Sequence, residues 1–279
     1  MASTESGICL QSIVPVRLES SHTSPMVTQV LFGELFRVIK KEKNWAYIQL
    51  IADHYEGWIP ESQAQLIPEP DFIRLTNAEI FLTTNLVHPI LKKSDHSDIQ
   101  IVLGSSLPGF KNNHLQLGPY TYFFDGTVTN GSTTYPSIKT GETAQIRQQL
   151  VQSAMKYLNT PYLWGGRTPF GIDCSGFTQM VYKLNRVQLP RDANQQAEQG
   201  EMISFLPEAE TGDLAFFDDE NGNIVHVGML LDNRNIIHCS GDVHIDLIDH
   251  EGIYSNTAKK YTHHLRTIRS MVGEAAPGQ

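Results

Sequence analysis

Hydrophobic and polar residues alternate with a period of two along much of the first half of the chain. Val14, Val16 and Leu18 alternate with Pro15 and Arg17, and a segment from Leu35 to Ile39 follows the turn residue Gly33. The run WAYIQLI then sets Trp45, Tyr47 and Gln49 against Ala46, Ile48 and Leu50. That period predicts strands, because successive side chains of a strand point to opposite faces. EGWIP closes the unit at Pro60, ahead of the polar, proline-marked stretch ESQAQLIPEP. Short strands at this spacing predict a small β-barrel over residues 1–70. A second β-rich domain is predicted over residues 71–140, with strands IRLT, AEIFLT and PYTYFF between breakers at Gly104, Pro108, Gly109, Gly118 and Asp125-Gly126.

From Gly141 the period changes. Residues 143–158 place Ile146, Leu150, Ala154 and Leu158 four apart on one helical stripe, with Thr143 as N-cap. A second helix, CSGFTQMVYKLN, carries Phe177, Met180, Val181 and Leu184 on a core-facing stripe. A short helix, DANQQAEQG, has Asp192 and Gln195 at capping-box spacing and ends at Gly200. Strands return in DLAFF, IVHVGMLL, NIIHCS and YTHHLRTIR. Helices first and strands afterwards predict an α+β domain over residues 141–272 with a mainly antiparallel sheet.

Composition narrows the class. A chain of 279 residues, 40% of them apolar, is long enough for two or three compact domains with their own cores. The formal net charge of −9 gives no general attraction to nucleic acid or to an anionic membrane. The N-terminus lacks a basic stretch followed by a continuous apolar run, and no run approaches the ~18 apolar residues of a membrane span. The expectation is a cytoplasmic protein. Three cysteines, Cys9, Cys174 and Cys239, form neither a disulfide framework nor a C-x-x-C zinc pair. No metal ligand or cofactor is predicted, and nothing in the sequence sets an oligomeric state. His263 and His264 are expected to face solvent at least in part.

Within GIDCSGF, Cys174 sits between Asp173 and Ser175-Gly176. A helix starting near Asp173 puts Cys174 in its first turn, where free N–H groups and the positive end of the dipole pull a thiol below its usual pKa of ~8.5. Cys174 also fits the apolar stripe, so the helix alone leaves a nucleophile and a core residue both open. Two histidines that interrupt apolar strands decide between them. If IVHVGMLL and NIIHCS form a hairpin, His226 and His238 share a face only across a loop with an odd number of residues. A three-residue loop, Asp232-Asn233-Arg234, pairs Leu231 with Asn235 and Gly228 with His238, and sets His226 diagonally beside His238. An Asn near the loop end suits the left-handed conformation such loops use. Nucleophile, base and orienting group are then Cys174, His226 and His238. Cys239 alternates away from His238 and reads as core.

The run TPYLWGGRTPFGIDCSGF, then HVGM, then IIHCS resembles the NlpC-type cysteine peptidases, whose core is papain-like, over roughly residues 145–270. The β-rich half looks like the bacterial SH3-like modules of the subgroup that cleaves cell-wall peptides, most clearly at HYEGWIP. The resemblance implies two SH3-like barrels ahead of the peptidase domain. It also implies Tyr162 as partner of the Cys174 N–H at the oxyanion. The subgroup's reaction is hydrolysis of the γ-D-glutamyl–L-diamino-acid bond in murein peptides that begin with a free L-Ala. Tyr55 and Asp173 match positions that recognise that terminus, Ser175 and Trp164 match pocket walls, and Asp192 matches a substrate-side position. On their residues alone, Tyr162 and Trp164 are equally readable as packing around Gly165-Gly166, Tyr55 as a cover of the barrel and Asp192 as a helix cap. Two departures bear on the free-terminus requirement. Ala193 stands where the family has Ser, and Pro25 falls where some members carry an acid.

Two other functions fit the same residues. One is a cell-wall peptide-binding protein with an inactive papain-like domain. The other is an amidase or acyltransferase built on the same three residues. Degenerate relatives lose the cysteine or a histidine, and all three residues are present here.

Overall fold

The computed structural model describes residues 5–131 and 143–272, which divide into two compact units. The first unit takes in the N-terminal residues and Trp164–Thr168; the second holds the rest. Among the described residues no helix is long and apolar enough to cross a membrane.

In the first unit the alternating segments form strands Ile13–Arg17, Leu35–Glu42, Trp45–Leu50 and Glu56–Pro60. With Glu5–Ile8, Met26–Leu31 and Gln65–Ile67 they make a seven-stranded sheet. Its buried face is the one the alternation assigns: Val14, Val16, Ala46, Ile48 and Leu50 pack with Val30, Phe36 and Ile59. Leu18 lies past the end of its strand and is exposed. Cys9 is in this core, its thiol donating to the carbonyl oxygens of Gln11 and Val30. Gly33 turns the chain with φ +79°, and a Cβ there would lie 1.7 Å from the Ser106 carbonyl oxygen, so no larger residue fits.

IRLT is helical, contrary to the strand expected. It lies in helix α1, Glu69–Thr76, with Pro70 in the first turn, Glu69 and Asp71 at the positive end of the dipole and Arg74 at the negative end. Four residues are too few to separate a period of two from one of 3.6, so the end signals decide. AEIFLT and PYTYFF supply strands Ile80–Thr83 and Tyr120–Phe123. Strands Val87–Lys92, Ser97–Val102 and His114–Leu117 join Tyr120–Phe123 in a four-stranded sheet. Ser106–Pro108 and Val128–Asn130 flank Ile80–Thr83 in a three-stranded one. One core serves these sheets and the N-terminal strands, since Ile8, Phe32 and Ile67 pack with Phe72, Leu75, Ile90 and Tyr122.

The second unit holds helices α2 (Thr143–Met155), α3 (Cys174–Leu184) and α4 (Ala193–Gln196) and a seven-stranded antiparallel sheet. The strand order is Glu201–Ile203, Lys260–Ser270, Leu214–Asp218, Ile224–Leu230, Asn235–Ser240, Asp242–Ile248, Gly252–Ser255. Gly252–Ser255 also pairs with Lys260–Ser270, which closes six of the strands into a ring and leaves Glu201–Ile203 outside it. Thr143 is the first residue of α2 rather than its cap, and α2 stops at Met155, leaving Leu158 outside the helix and 40% exposed. Leu150 and Ala154 are the buried part of the stripe. Beside them Arg147 reaches Asp213, itself 1% exposed, at 2.8 Å, a part-buried ion pair that apolar periodicity does not reveal.

Helix α3 was expected to bury one stripe. It is instead buried on every side except at Lys183, packed between α2 and the strands Ile224–Leu230 and Asn235–Ser240. The expected capping box of Asp192 and Gln195 does not form, for Asp192 takes the N-cap position of α4 without a side-chain cap bond. The helix ends at Gln196, earlier than Gly200. Gln196 is buried and ties α4 to α3, donating to the Ser175 carbonyl at 3.0 Å and accepting from the Thr178 hydroxyl at 2.7 Å.

Candidate active site

Asp173 starts α3. Its backbone is extended and its Oδ1 accepts the Gly176 N–H at 2.7 Å, so Cys174 becomes the first helical residue. The Asp173 carboxylate is gripped by Arg191, which donates from Nη1 at 3.0 Å and from Nη2 at 2.6 Å, and Nη1 also reaches Ser175 Oγ at 2.9 Å. Arg191 is among the most deeply buried side chains of the protein. Its role was missed in the sequence, although it directly precedes Asp192 and a charged residue beside Pro190 is a visible signal.

Cys174 is buried, and burial rather than the helix end sets its acidity. Desolvation, followed by the charge of Asp173, pushes the thiol up to about 11. The backbone N–H groups of Val227 and Ser175 pull the other way and are outweighed. The direction is opposite to the depression below ~8.5 expected of a helix end, because a poorly solvated thiol favours its neutral form. A thiol in that state needs a base at the moment of attack.

The contact with Val227 brings the thiol to the strand that carries His226. The hairpin has the register the loop length requires, with Gly228 opposite His238 and the Leu231 N–H bonded to the Asn235 carbonyl at 2.9 Å. The left-handed asparagine expected at the loop end is absent. Asp232 shapes the loop instead, its Oδ1 accepting the backbone N–H groups of Arg234 and Asn235 at 2.7 and 2.8 Å. His226 Nε2 and His238 Nδ1 lie 3.0 Å apart, both rings deeply buried. Burial holds His226 well below the ordinary histidine value, with the neighbouring His263 and His238 adding to it, and burial lowers His238 as well. Both rings are neutral at neutral pH.

Behind His238 stands Asp246, which sequence reading missed. Its Oδ2 is 3.5 Å from His238 Nε2 and 3.2 Å from His244 Nε2. His244 is the cross-strand partner of His238, and Asp246 lies two residues on, hence on the same face. The turn at Ser240-Gly241-Asp242 and the alternation of DVHIDLI carried that signal. Asp246 only accepts, so it favours the His238 tautomer with its proton on Nε2. His238 Nδ1 is then an acceptor, His226 Nε2 the donor to it, and His226 Nδ1 is left bare. Such a line can take a thiol proton and return it to a leaving group. His263 stacks on His226 with centroids 4.1 Å apart, so it is partly withdrawn from solvent, unlike the exposed His264. Cys239 faces the core, as the alternation requires, and donates to the Ile172 carbonyl.

Tyr162 belongs to the same unit, its N–H bonded to the Gly241 carbonyl at 2.8 Å. Burial and the nearby Cys174 push its phenol up to about 12, so it remains a proton donor through the neutral range. Cys174, His226, His238, Tyr162, Asp173, Ser175 and Asp192 all lie in the second unit, whereas Tyr55 and Trp164 lie in the first. Tyr55 packs half-buried against the barrel core. Trp164 is 65% exposed, which removes the core-packing reading for it.

Residues 159–266 match the NlpC/P60 family and residues 16–63 match the bacterial dipeptidyl-peptidase SH3 domain. A curated relative from Bacillus cereus, γ-D-glutamyl-L-lysine dipeptidyl-peptidase, is 26% identical over 80% of this chain and 69% of its own length. A Bacillus subtilis protein of the same name is 27% identical over 76% of this chain and 71% of its own. The solved structure of an NlpC/P60 family protein from Bacillus cereus has a TM-score of 0.78 at 20% identity, covering 96% of this chain and 100% of that one. That likeness speaks for the fold, and the domain matches speak for the chemistry. The chain therefore carries an NlpC/P60 peptidase domain, preceded by a bacterial dipeptidyl-peptidase SH3 domain.

Proposed function

We propose that this peptidase hydrolyses the γ-D-glutamyl–L-diamino-acid bond of short murein peptides with a free N-terminal L-Ala. The observation that carries the reading is the 3.0 Å contact of His226 with His238, on a strand whose Val227 N–H reaches the Cys174 thiol. In the proposed reaction His226 Nδ1 takes the thiol proton as Sγ attacks the γ-carbonyl carbon of D-Glu. The Cys174 N–H and the Tyr162 hydroxyl stabilise the tetrahedral oxyanion. His226 then protonates the amine of the diamino acid, which leaves, and a thioester remains. Water, deprotonated by His226, cleaves the thioester and releases L-Ala-γ-D-Glu. His238 orients His226 throughout.

Asp173 and Ser175 would meet the substrate's ammonium, on the family resemblance. Tyr55, Trp164 and Asp192 are proposed peptide contacts on the family resemblance. We further propose the division 1–70, 71–140 and 141–272, with the middle segment a second SH3-like module. A requirement for a free terminus suits recycling of released peptides in the cytoplasm, which cell fractionation would check.

The test is hydrolysis of L-Ala-γ-D-Glu-diaminopimelate and its N-acetylated twin by wild type and Cys174→Ala. Release of the dipeptide from the free form alone, abolished by the substitution, is expected. Equal cleavage of both forms removes the free-terminus requirement. A folded protein that cleaves neither returns the assignment to peptide binding or to another acyl substrate.

A further inference from the structure

His244 faces a carboxylate through each ring nitrogen: Nδ1 is 2.8 Å from Asp242 Oδ1 and Nε2 is 3.2 Å from Asp246 Oδ2. A neutral imidazole has one N–H, so one of these contacts sets a lone pair against a carboxylate unless a cation intervenes. Close by, His238 Nε2 is buried and makes no well-formed hydrogen bond, its contact with Asp246 being 3.5 Å long. A second proton on His244 would resolve the first anomaly but not the second. A metal ion resolves both.

We propose that His238 Nε2, His244 Nε2 and Asp246 Oδ2 form an inhibitory site for a zinc-class divalent cation. One ligand atom from each of the three residues lies within 4.8 Å of the others. Bond lengths of 2.0–2.2 Å at a tetrahedral ion set neighbouring donors about 3.3–3.6 Å apart. Both edges through Asp246, at 3.2 and 3.5 Å, already match that spacing. The remaining edge closes by rotation of His244, whose side chain is 33% exposed and gives the ion its way in. Two imidazoles, one carboxylate and an open fourth position suit zinc and its neighbours, whereas magnesium and calcium want oxygen ligands. Ligating histidines characteristically give their other nitrogen to an outer partner. Here Asp242 holds His244 Nδ1 and His226 holds His238 Nδ1.

Binding would switch the peptidase off without touching the thiol. A metal on His238 Nε2 obliges that ring to carry its proton on Nδ1, so the contact with His226 reverses. His226 Nε2 becomes the acceptor and its own proton moves to Nδ1. Each ring still holds one proton, and none is gained or lost overall. The nitrogen that should receive the Cys174 proton now carries one.

Metal-stripped Cys174→Ala protein, titrated with zinc against a chromogenic chelator, should bind one equivalent. His244→Ala in that background should weaken binding by at least roughly 100-fold, the upper end of what losing a mere outer partner costs. The cobalt complex should show no thiolate charge-transfer band. In the Cys174 enzyme, zinc should slow alkylation of the thiol by iodoacetamide, and His244→Ala should remove that effect while leaving the metal-free alkylation rate unchanged. His244→Gln serves if the alanine variant does not fold. Loss of zinc binding in Cys174→Ala, or unchanged binding in the His244 variants, overturns the proposal. None of these readouts needs a peptide substrate, so the site stands or falls separately from the proposed activity.

Discussion

Two buried polar networks flank Cys174 in the second unit, and they treat charge in opposite ways. On one side Asp173 and Arg191 form an ion pair through two hydrogen bonds, with Ser175 completing the set. On the other, His226 and His238 are kept neutral by burial and share a single contact at 3.0 Å. A bidentate ion pair fixes geometry but has no proton free to move. A pair of neutral imidazoles has protons to move and little to hold it still, so the sheet register and Asp246 must supply the order. Position and proton transfer are thus divided between the two sides of the nucleophile.

The comparison breaks first on the histidine side. His226→Ala should lower kcat/KM on the murein tripeptide to near the level of Cys174→Ala, since losing either member of a nucleophile–base pair costs about as much as losing both, of order 10⁶ in the best-studied case. Its melting temperature should change little by comparison. A variant that keeps more than a hundredth of the wild-type rate would show that the thiol does not depend on this base.

Arg191→Leu tests the other side. Removing one partner of a buried pair strands the Asp173 carboxylate, which typically costs about 3–5 kcal/mol. Denaturant unfolding should report that loss. The double variant Asp173→Asn/Arg191→Leu should recover a large part of it, because the cost lies in the unpaired charge. Stability unchanged in the single variant would mean that solvent reaches the carboxylate.

Asp246→Asn is subtler. An amide turns its NH2 to His238 as readily as its oxygen, so the tautomer bias is lost. Assayed with a chelator present, kcat should fall about tenfold, far less than the ~10⁴ lost when the carboxylate next to a serine peptidase's histidine is amidated. KM should be unmoved, and an unchanged kcat would remove Asp246 from the line.

The two networks also differ in how far the sequence discloses them. His226 and His238 interrupt apolar strands, and alternation with loop length fixes their common face, so their meeting was readable from residues 224–240. Cys239 was readable as core by the same rule. The Asp173–Arg191 pair is separated by helix α3 and the turn after it, and no period links residues on different elements. Asp246 was hidden one strand further on, although its alternation with His244 is plain once His238 is placed opposite His244. The burial that raises the thiol was not legible, because a helix end is visible in sequence and burial is not. In the first unit, IRLT failed for a related reason: a short run has no period of its own, and the Pro and acidic residues that make α1 lie before it.

Acidity should separate the networks last and most gently. His226, His238 and His263 all have folded pKa values below the unfolded value near 6.5, with His263 at about 4. Below about 6.5 the unfolded chain binds protons that the folded chain refuses, so stability rises with pH there and is lost as pH falls. Above 7 these groups are neutral in both states and contribute no slope. The melting temperature should therefore be flat from pH 8 to 7 and decline from 6.5 towards 5, before most carboxylates titrate. His263→Phe keeps a ring against His226 and removes one titrating group, so its decline should be shallower by that group's share. Equal slopes for the two proteins would mean that His263 is protonated freely in the folded state, and that the stack on His226 does not shield it.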